Sequence, residues 1–120
     1  MDKIQLGHWG ENIAKEYLIK KGYRFLRQNI RIGRGEIDLL FFHELTYIVV
    51  EVKTKTSTKY GYPGDMIDYK KISQLSFLVE KLITKQKSPE SIHWRIDAVG
   101  IVGDGQKVVS IAHYQNVTIW

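Results

Sequence analysis

Apolar positions fall at helical spacing in two stretches of the chain and alternate, or run together, in the rest. From about Leu6 to Lys21, Ile13, Ala14, Tyr17 and Leu18 form one stripe, and Gly22 follows as a stop signal. Tyr23 to Ile30 reads as a strand, Gly33-Arg34-Gly35 as a turn, and Glu36 to Phe42 as a second strand. A short polar connection, His43 to Thr46, leads into a third strand, Tyr47 to Lys55, rich in Val and Ile. Thr56 to Gly64 lacks an apolar period and contains Gly61, Pro63 and Gly64, which predicts a loop.

Asp65 is placed to cap a second helix running to about Gln86, with Ile72, Leu75, Val79, Leu82 and Ile83 as its core-facing stripe. Ser88-Pro89 ends it. Ile92 to Val102 reads as a fourth strand, Gly103-Asp104-Gly105 as a turn, and Lys107 to Ala112 as a last strand. The order is α-β-β-β-α-β-β. The step from the third strand through the long helix to the fourth suits a parallel crossover, whereas short links favour antiparallel neighbours. The expected fold is therefore an α/β sandwich with a mixed central sheet. No internal repeat or linker interrupts residues 1–120, and that length suits a single domain with one core.

Charged residues interrupt the two central strands at regular places. In Gly35-Glu36-Ile37-Asp38-Leu39-Leu40, alternation puts Glu36 and Asp38 on one face and Ile37 and Leu39 on the other. In the third strand Glu51 and Lys53 share a face, opposite Val50 and Val52. If the two strands pair as a hairpin, Asp38, Glu51 and Lys53 meet. A buried carboxylate costs several kcal/mol unless it is paired or bound to a metal. Two of them together suit a hard divalent cation such as Mg²⁺ (or Mn²⁺), which takes oxygen ligands and shares phosphate oxygens with its carboxylates. A lysine two positions along can orient water or neutralise charge on a phosphate, the requirements of phosphodiester hydrolysis. The alternative is an ion-pair patch on an exposed sheet face.

Charge changes this picture moderately. The net charge is +5. Residues 1–60 carry eleven Lys or Arg against seven Asp or Glu, four of the latter being Glu11, Glu36, Asp38 and Glu51. An acidic spot in a basic field suits metal-assisted work on a polyanion. Cysteine is absent, which excludes disulfides, thiolate metal sites and cysteine nucleophiles. No stretch approaches the roughly 20 apolar residues of a membrane span, and no secretory signal core is present, so a cytoplasmic protein without membrane partners is expected.

Motifs along nearly the whole chain resemble the YraN-like family of predicted endonucleases, within the PD-(D/E)xK superfamily of restriction-endonuclease-like and Holliday-junction-resolvase-like enzymes. They are G-x2-G-E-x2-A (7–14), Y-L (17–18), N-x-R (29–31), G-E-I-D-L (35–39), V-E-V-K-T (50–54), G-x-P (61–63), I-x3-K-x3-L (67–75) and R-I-D-A-V-G-I (95–101). The resemblance implies a restriction-endonuclease-like three-layer fold, with helices flanking the mixed sheet. It also implies a metal-dependent endonuclease that hydrolyses DNA, with branched or junction DNA as substrates in repair and recombination. Asp38 and Glu51 would be metal ligands and Lys53 the catalytic lysine, while Glu11 matches a helix position from which resolvase-like relatives add a carboxylate. Lys71 matches the family's helix lysine. Where the family usually has Arg, this chain has Lys55. Dimeric resolvase-like relatives make a homodimer an expectation, although no interface stripe is evident.

Several residues are weighed more evenly. Glu36 serves either as an acceptor behind the metal ligands or as a partner for Arg31. Arg31 and Arg34, beside the Gly33/Gly35 turn, suit phosphate as well as they suit a plain turn. Lys55, Lys59, Lys70 and Lys71 border the loop after the third strand; Lys71 has nucleic-acid backbone or the acidic cluster as its partner, Lys55 keeps an attraction for phosphate, and Lys70 reads as solvated. Asp97 is expected to be structural, paired with Arg95 or a backbone amide. His8, His43, His93 and His113 lack metal-ligand spacing, and Trp9, Trp94 and Trp120 suit core or edge packing. The rival reading is a non-catalytic nucleic-acid-binding module with the same fold. A third is an accessory domain whose acids are only ion-paired.

Overall fold

The computed structural model describes residues 1–57, 68–85 and 91–117. Its elements are α1 (Lys3–Lys20), β1 (Arg24–Ile32), β2 (Gly35–His43), β3 (Thr46–Lys55), α2 (Tyr69–Thr84), β4 (His93–Gly103) and β5 (Val108–Tyr114). The expected order α-β-β-β-α-β-β holds. All five strands join one sheet in the order β1-β2-β3-β4-β5. Among the described strands only β3 and β4 pair in parallel, and α2 lies between them in sequence. The other neighbouring pairs are antiparallel.

Helix α1 starts earlier than Leu6 because Asp2 closes a capping box with Gln5. It stops where expected. Gly22 takes φ +95°, its N–H bonds to the Ile19 carbonyl, and the Tyr23 N–H reaches Leu18, the arrangement that glycine favours after a helix. The expected α2 cap, Asp65, lies outside the described residues, as do Lys59, the 61–64 turn residues, Gln86, Ser88-Pro89 and Trp120. The described helix begins at Tyr69, where Asp68 Oδ1 accepts from the N–H groups of Lys70 and Lys71. The β2–β3 link is tighter than the four-residue connection expected: His43 pairs with Thr46, and only Glu44 and Leu45, both at positive φ, form the turn.

The sheet is covered by a different helix on each side. Ala14 and Leu18 of α1 pack with Leu39, Phe41, Ile48, Val50, Val52, Val99 and Ile101. Ile72, Leu75 and Val79 of α2 pack with Ile37, Val49 and Ile96. This helix–sheet–helix layering is consistent with the three-layer restriction-endonuclease-like architecture. Trp9 lies against the first cluster and Trp94 against the second, as packing residues.

One register expectation fails. Ile37 and Leu39 should share a face, but Ile37 packs with α2 and Leu39 with α1. Alternation breaks at Asp38, where β2 parts from β3. Pairing between the two strands runs from His43–Thr46 to Leu39–Val50 and goes no further. Beyond it, Gly35–Ile37 stay with β1, while Glu51–Lys55 stay with β4. The sheet opens there into a fork.

Candidate functional site

The fork collects the charged residues singled out in the sequence. Asp38 sits at its base, 9% exposed, and its Oδ2 accepts the Val52 N–H at 2.9 Å. The carboxylate thus satisfies a backbone donor that the parting strand leaves without a ladder partner. Glu51 occupies the β3 limb and is 4% exposed. Its Oε1 receives Lys71 Nζ from α2 at 2.6 Å, with Lys53 Nζ at 3.8 Å. Its Oε2 is buried with no hydrogen-bond partner among the described residues.

Glu11 approaches from α1. Gly10, next to it, packs so closely on β3 that a Cβ there would collide with Thr54 Oγ1. That close approach holds the first helix against the strand that carries Glu51 and Lys53. Glu11 Oε2 is also buried without a hydrogen bond among the described residues, although His8 Nδ1 stands 3.4 Å away. Burial, then the charge of Asp38, raises the Glu11 pKa, with His8 opposing. At Glu51, burial and then Asp38 act the same way against Lys71 and Lys53, and the carboxyl is pushed up to about 7. For Lys71, burial favours the neutral amine but is outweighed by the hydrogen bond and charge of Glu51, so its pKa rises.

Among the described residues no three His, Asp or Glu side chains stand together as a ready-made metal cage. Asp38 is within electrostatic reach of both Glu11 and Glu51, without the three closing into one set. The two orphaned oxygens, Glu11 Oε2 and Glu51 Oε2, belong to the two neighbours of Asp38. Both are carboxylate oxygens, the donor type that a hard divalent cation takes.

The remaining predicted residues divide. Glu36 lies on the β2 limb, half-buried, within electrostatic reach of Glu11 and Lys71. Its register partner is Arg31, yet among the described residues the two make no ion pair. Arg31 is exposed, Arg34 projects from the β1–β2 turn beside α2, and Lys55 is half-buried at the end of β3. Among the described residues, Arg31, Arg34 and Lys55 make no ion pair with the acids.

A model of the uncharacterised protein family UPF0102 matches residues 10–101, a stretch that contains the whole fork. The chain belongs to UPF0102. Several relatives of this UPF0102 member match it over nine-tenths or more of their own length. A UPF0102 protein of Caldicellulosiruptor bescii is 38% identical over 110 residues, 92% of each chain. One from Roseiflexus castenholzii is 34% identical, covering 92% of this chain and 90% of its own. One from Cytophaga hutchinsonii is 32% identical over 99% of this chain and 100% of its own.

A second polar centre escaped sequence reasoning in part. Asp97 is fully buried and receives Arg95 Nε at 2.9 Å, His113 Nε2 at 2.8 Å and the Asn116 N–H at 2.9 Å. The expected arginine and amide partners are both there. His113, sixteen residues away, carried no spacing signal, because the bond forms only once β5 returns beside β4. Arg95 also donates to the Tyr23 hydroxyl at 2.7 Å, and Lys21 Nζ lies 2.8 Å from His113 Nδ1. These residues tie the end of α1 to the sheet, on the α1 side of the fold.

Proposed function

We propose that this UPF0102 member is a metal-dependent phosphodiesterase acting on DNA, with branched or junction DNA as the preferred form. The observation that carries the reading is the pair of buried carboxylate oxygens on Glu11 and Glu51 that make no hydrogen bond among the described residues, set around Asp38 where the sheet forks. Asp38 and Glu51 would hold Mg²⁺ or Mn²⁺, with Glu11 as a further oxygen donor. Such ions are usually held by one or two carboxylates with water and substrate phosphate completing the shell. When bound, the cation supplies Lewis-acid polarisation of the phosphate and a lowered pKa for water.

The chain's own groups do the rest. Asp38 is oriented by the Val52 N–H, so its free oxygen has a fixed direction. Lys53, partly exposed at 3.8 Å from Glu51, is free to donate to a phosphate oxygen as negative charge grows there. Lys71 offsets the charge of Glu51 and keeps two carboxylates compatible in a buried place. The excess of basic residues in the first half supports a polyanionic partner. The cytoplasmic setting and nucleic-acid partner belong to this proposal, and no described helix is long and apolar enough to cross a membrane.

The test is a cleavage panel of single-stranded, duplex, flap and four-way-junction DNA with Mg²⁺ or Mn²⁺. Cleavage is expected with metal and lost with chelator. Lys53→Ala is expected to lower kcat by about 10²–10³-fold, the usual cost of one donor to a developing oxyanion, and Asp38→Ala to abolish turnover. No cleavage of any substrate overturns the proposal. The ion pair that already engages Glu51 Oε1 favours one second reading, a binding module without turnover. Salt-sensitive DNA binding with no metal-dependent cleavage would identify it.

A further inference from the structure

An open groove of about 820 Å³ lies between the β1–β2 turn and α2, beginning at the fork. Arg34 and Glu36 line it on the sheet side, and Lys70, Lys71, Phe77 and Leu78 on the helix side. Its shape depends on a close approach, since a Cβ at Gly35 would lie 2.5 Å from Leu78 Cδ1. The glycine lets the β1–β2 turn, and with it Arg34, lie next to α2. Lys71 is the residue bonded to Glu51, so the groove leads into the acidic fork.

Phe77 is 61% exposed on this helix face. A lone exposed aromatic is ordinary. Here the ring shares an open channel with Arg34 and Lys70, and Lys81 Nζ stands 4.8 Å from its centroid. Cations that hold backbone phosphates beside an aromatic platform are the parts of a single-strand binding surface. Base faces are hidden in a duplex and available in an unpaired strand.

We propose that this groove seats an unpaired nucleic-acid strand, with Arg34 and Lys70 on its phosphates and Phe77 stacked on a base. The seat rests on the nucleic-acid reading above and narrows it. Substrates would carry an unpaired segment next to the bond presented to Asp38, Glu51 and Lys53. Arg34 and Phe77 would then select strand structure, and the acidic fork would perform the reaction.

Binding without chemistry tests this. Fluorescence anisotropy of the full chain in EDTA would compare labelled oligothymidylate, oligouridylate and blunt duplex DNA. Tighter binding of either single strand than of duplex is expected, and the two arms tell DNA from RNA. Phe77→Ala is expected to weaken single-strand binding roughly 5- to 150-fold, whereas Phe77→Trp retains it. Arg34→Ala should reduce the logarithmic salt slope by about 0.7, the share of one neutralised phosphate on a single strand. Because Phe77 and Arg34 are exposed, thermal melting should be unchanged in Phe77→Ala and Arg34→Ala. Single-strand binding insensitive to Phe77→Ala, or no preference over duplex, overturns the seat even if metal-dependent cleavage is found. Phe77-dependent binding with no cleavage upholds the seat and removes the hydrolytic reading.

Discussion

At Glu51, burial and the neighbouring Asp38 favour the protonated acid, while Lys71 and Lys53 favour the carboxylate. With these influences opposed, the carboxyl is pushed up to about 7, and each neighbour can be tested by its sign. Asp38→Asn should lower the Glu51 pKa, because it removes a negative neighbour. Lys71→Met should raise it, because the buried carboxylate loses its hydrogen bond and its counter-charge. Carboxyl ¹³C NMR titration of the two variants checks both, and movement in the same direction would contradict the assigned geometry. Lys53 is a contrasting case. At 3.8 Å and partly exposed it contributes little to the fold, so Lys53→Ala should leave stability within about 0.5 kcal/mol. Its cost should appear in turnover alone.

The elements place these side chains through a few tight approaches. Gly10 against Thr54 is one, and it positions Glu11 on α1 relative to β3. Gly10→Ala is expected to cost about 1–3 kcal/mol through overpacking. Adding Thr54→Ala should recover much of that stability, as read by urea denaturation. The β2–β3 turn is another. Glu44 and Leu45 both occupy the left-handed region, at φ 47° and 61°, without a glycine or asparagine to favour it. Replacing the pair by Asn-Gly should raise stability by about 1 kcal/mol, since the left-handed conformation costs roughly that much per ordinary residue. The same turn starts the register that ends at Leu39–Val50, so it helps fix where the fork opens.

Among the described residues, two buried polar centres lie apart and are satisfied to different degrees. The fork holds acids, Glu11 and Glu51, each with a buried oxygen that makes no hydrogen bond among the described residues. The Asp97 centre is fully engaged. Burial alone would raise the Asp97 pKa, but His113, Arg95 and the Asn116 N–H outweigh it and hold the carboxyl below its ordinary 3.8. The unfolded chain therefore takes up this proton first as pH falls. The stabilisation is complete above pH 3.8 and is lost as pH drops through the folded value. Asp97→Asn should flatten that part of the acid limb. At neutral pH it should cost about 3–5 kcal/mol, the usual penalty for breaking a buried pair. Denaturation midpoints measured between neutral and acid pH check both effects.

Much of this protein is determined by its sequence alone. The apolar stripe of α1 with Gly22 behind it, the alternating strands and the Asp38, Glu51 and Lys53 spacing follow from local periodicity. Helical repeats and strand alternation are set within a few residues, so the chain states them directly. What only the tertiary structure decided depends on contacts between distant segments. Asp38 breaks the alternation because β2 leaves β3 there, and nothing in Glu36-Ile37-Asp38-Leu39 announces the parting. His113 joins Asp97 only after β5 folds back, and Phe77 becomes notable only beside Arg34 across the groove. The Asp38–Glu51–Lys53 cluster was legible because its residues lie on consecutive strands. Lys71, twenty residues beyond Glu51, acquires its 2.6 Å ion pair only because α2 packs across the sheet.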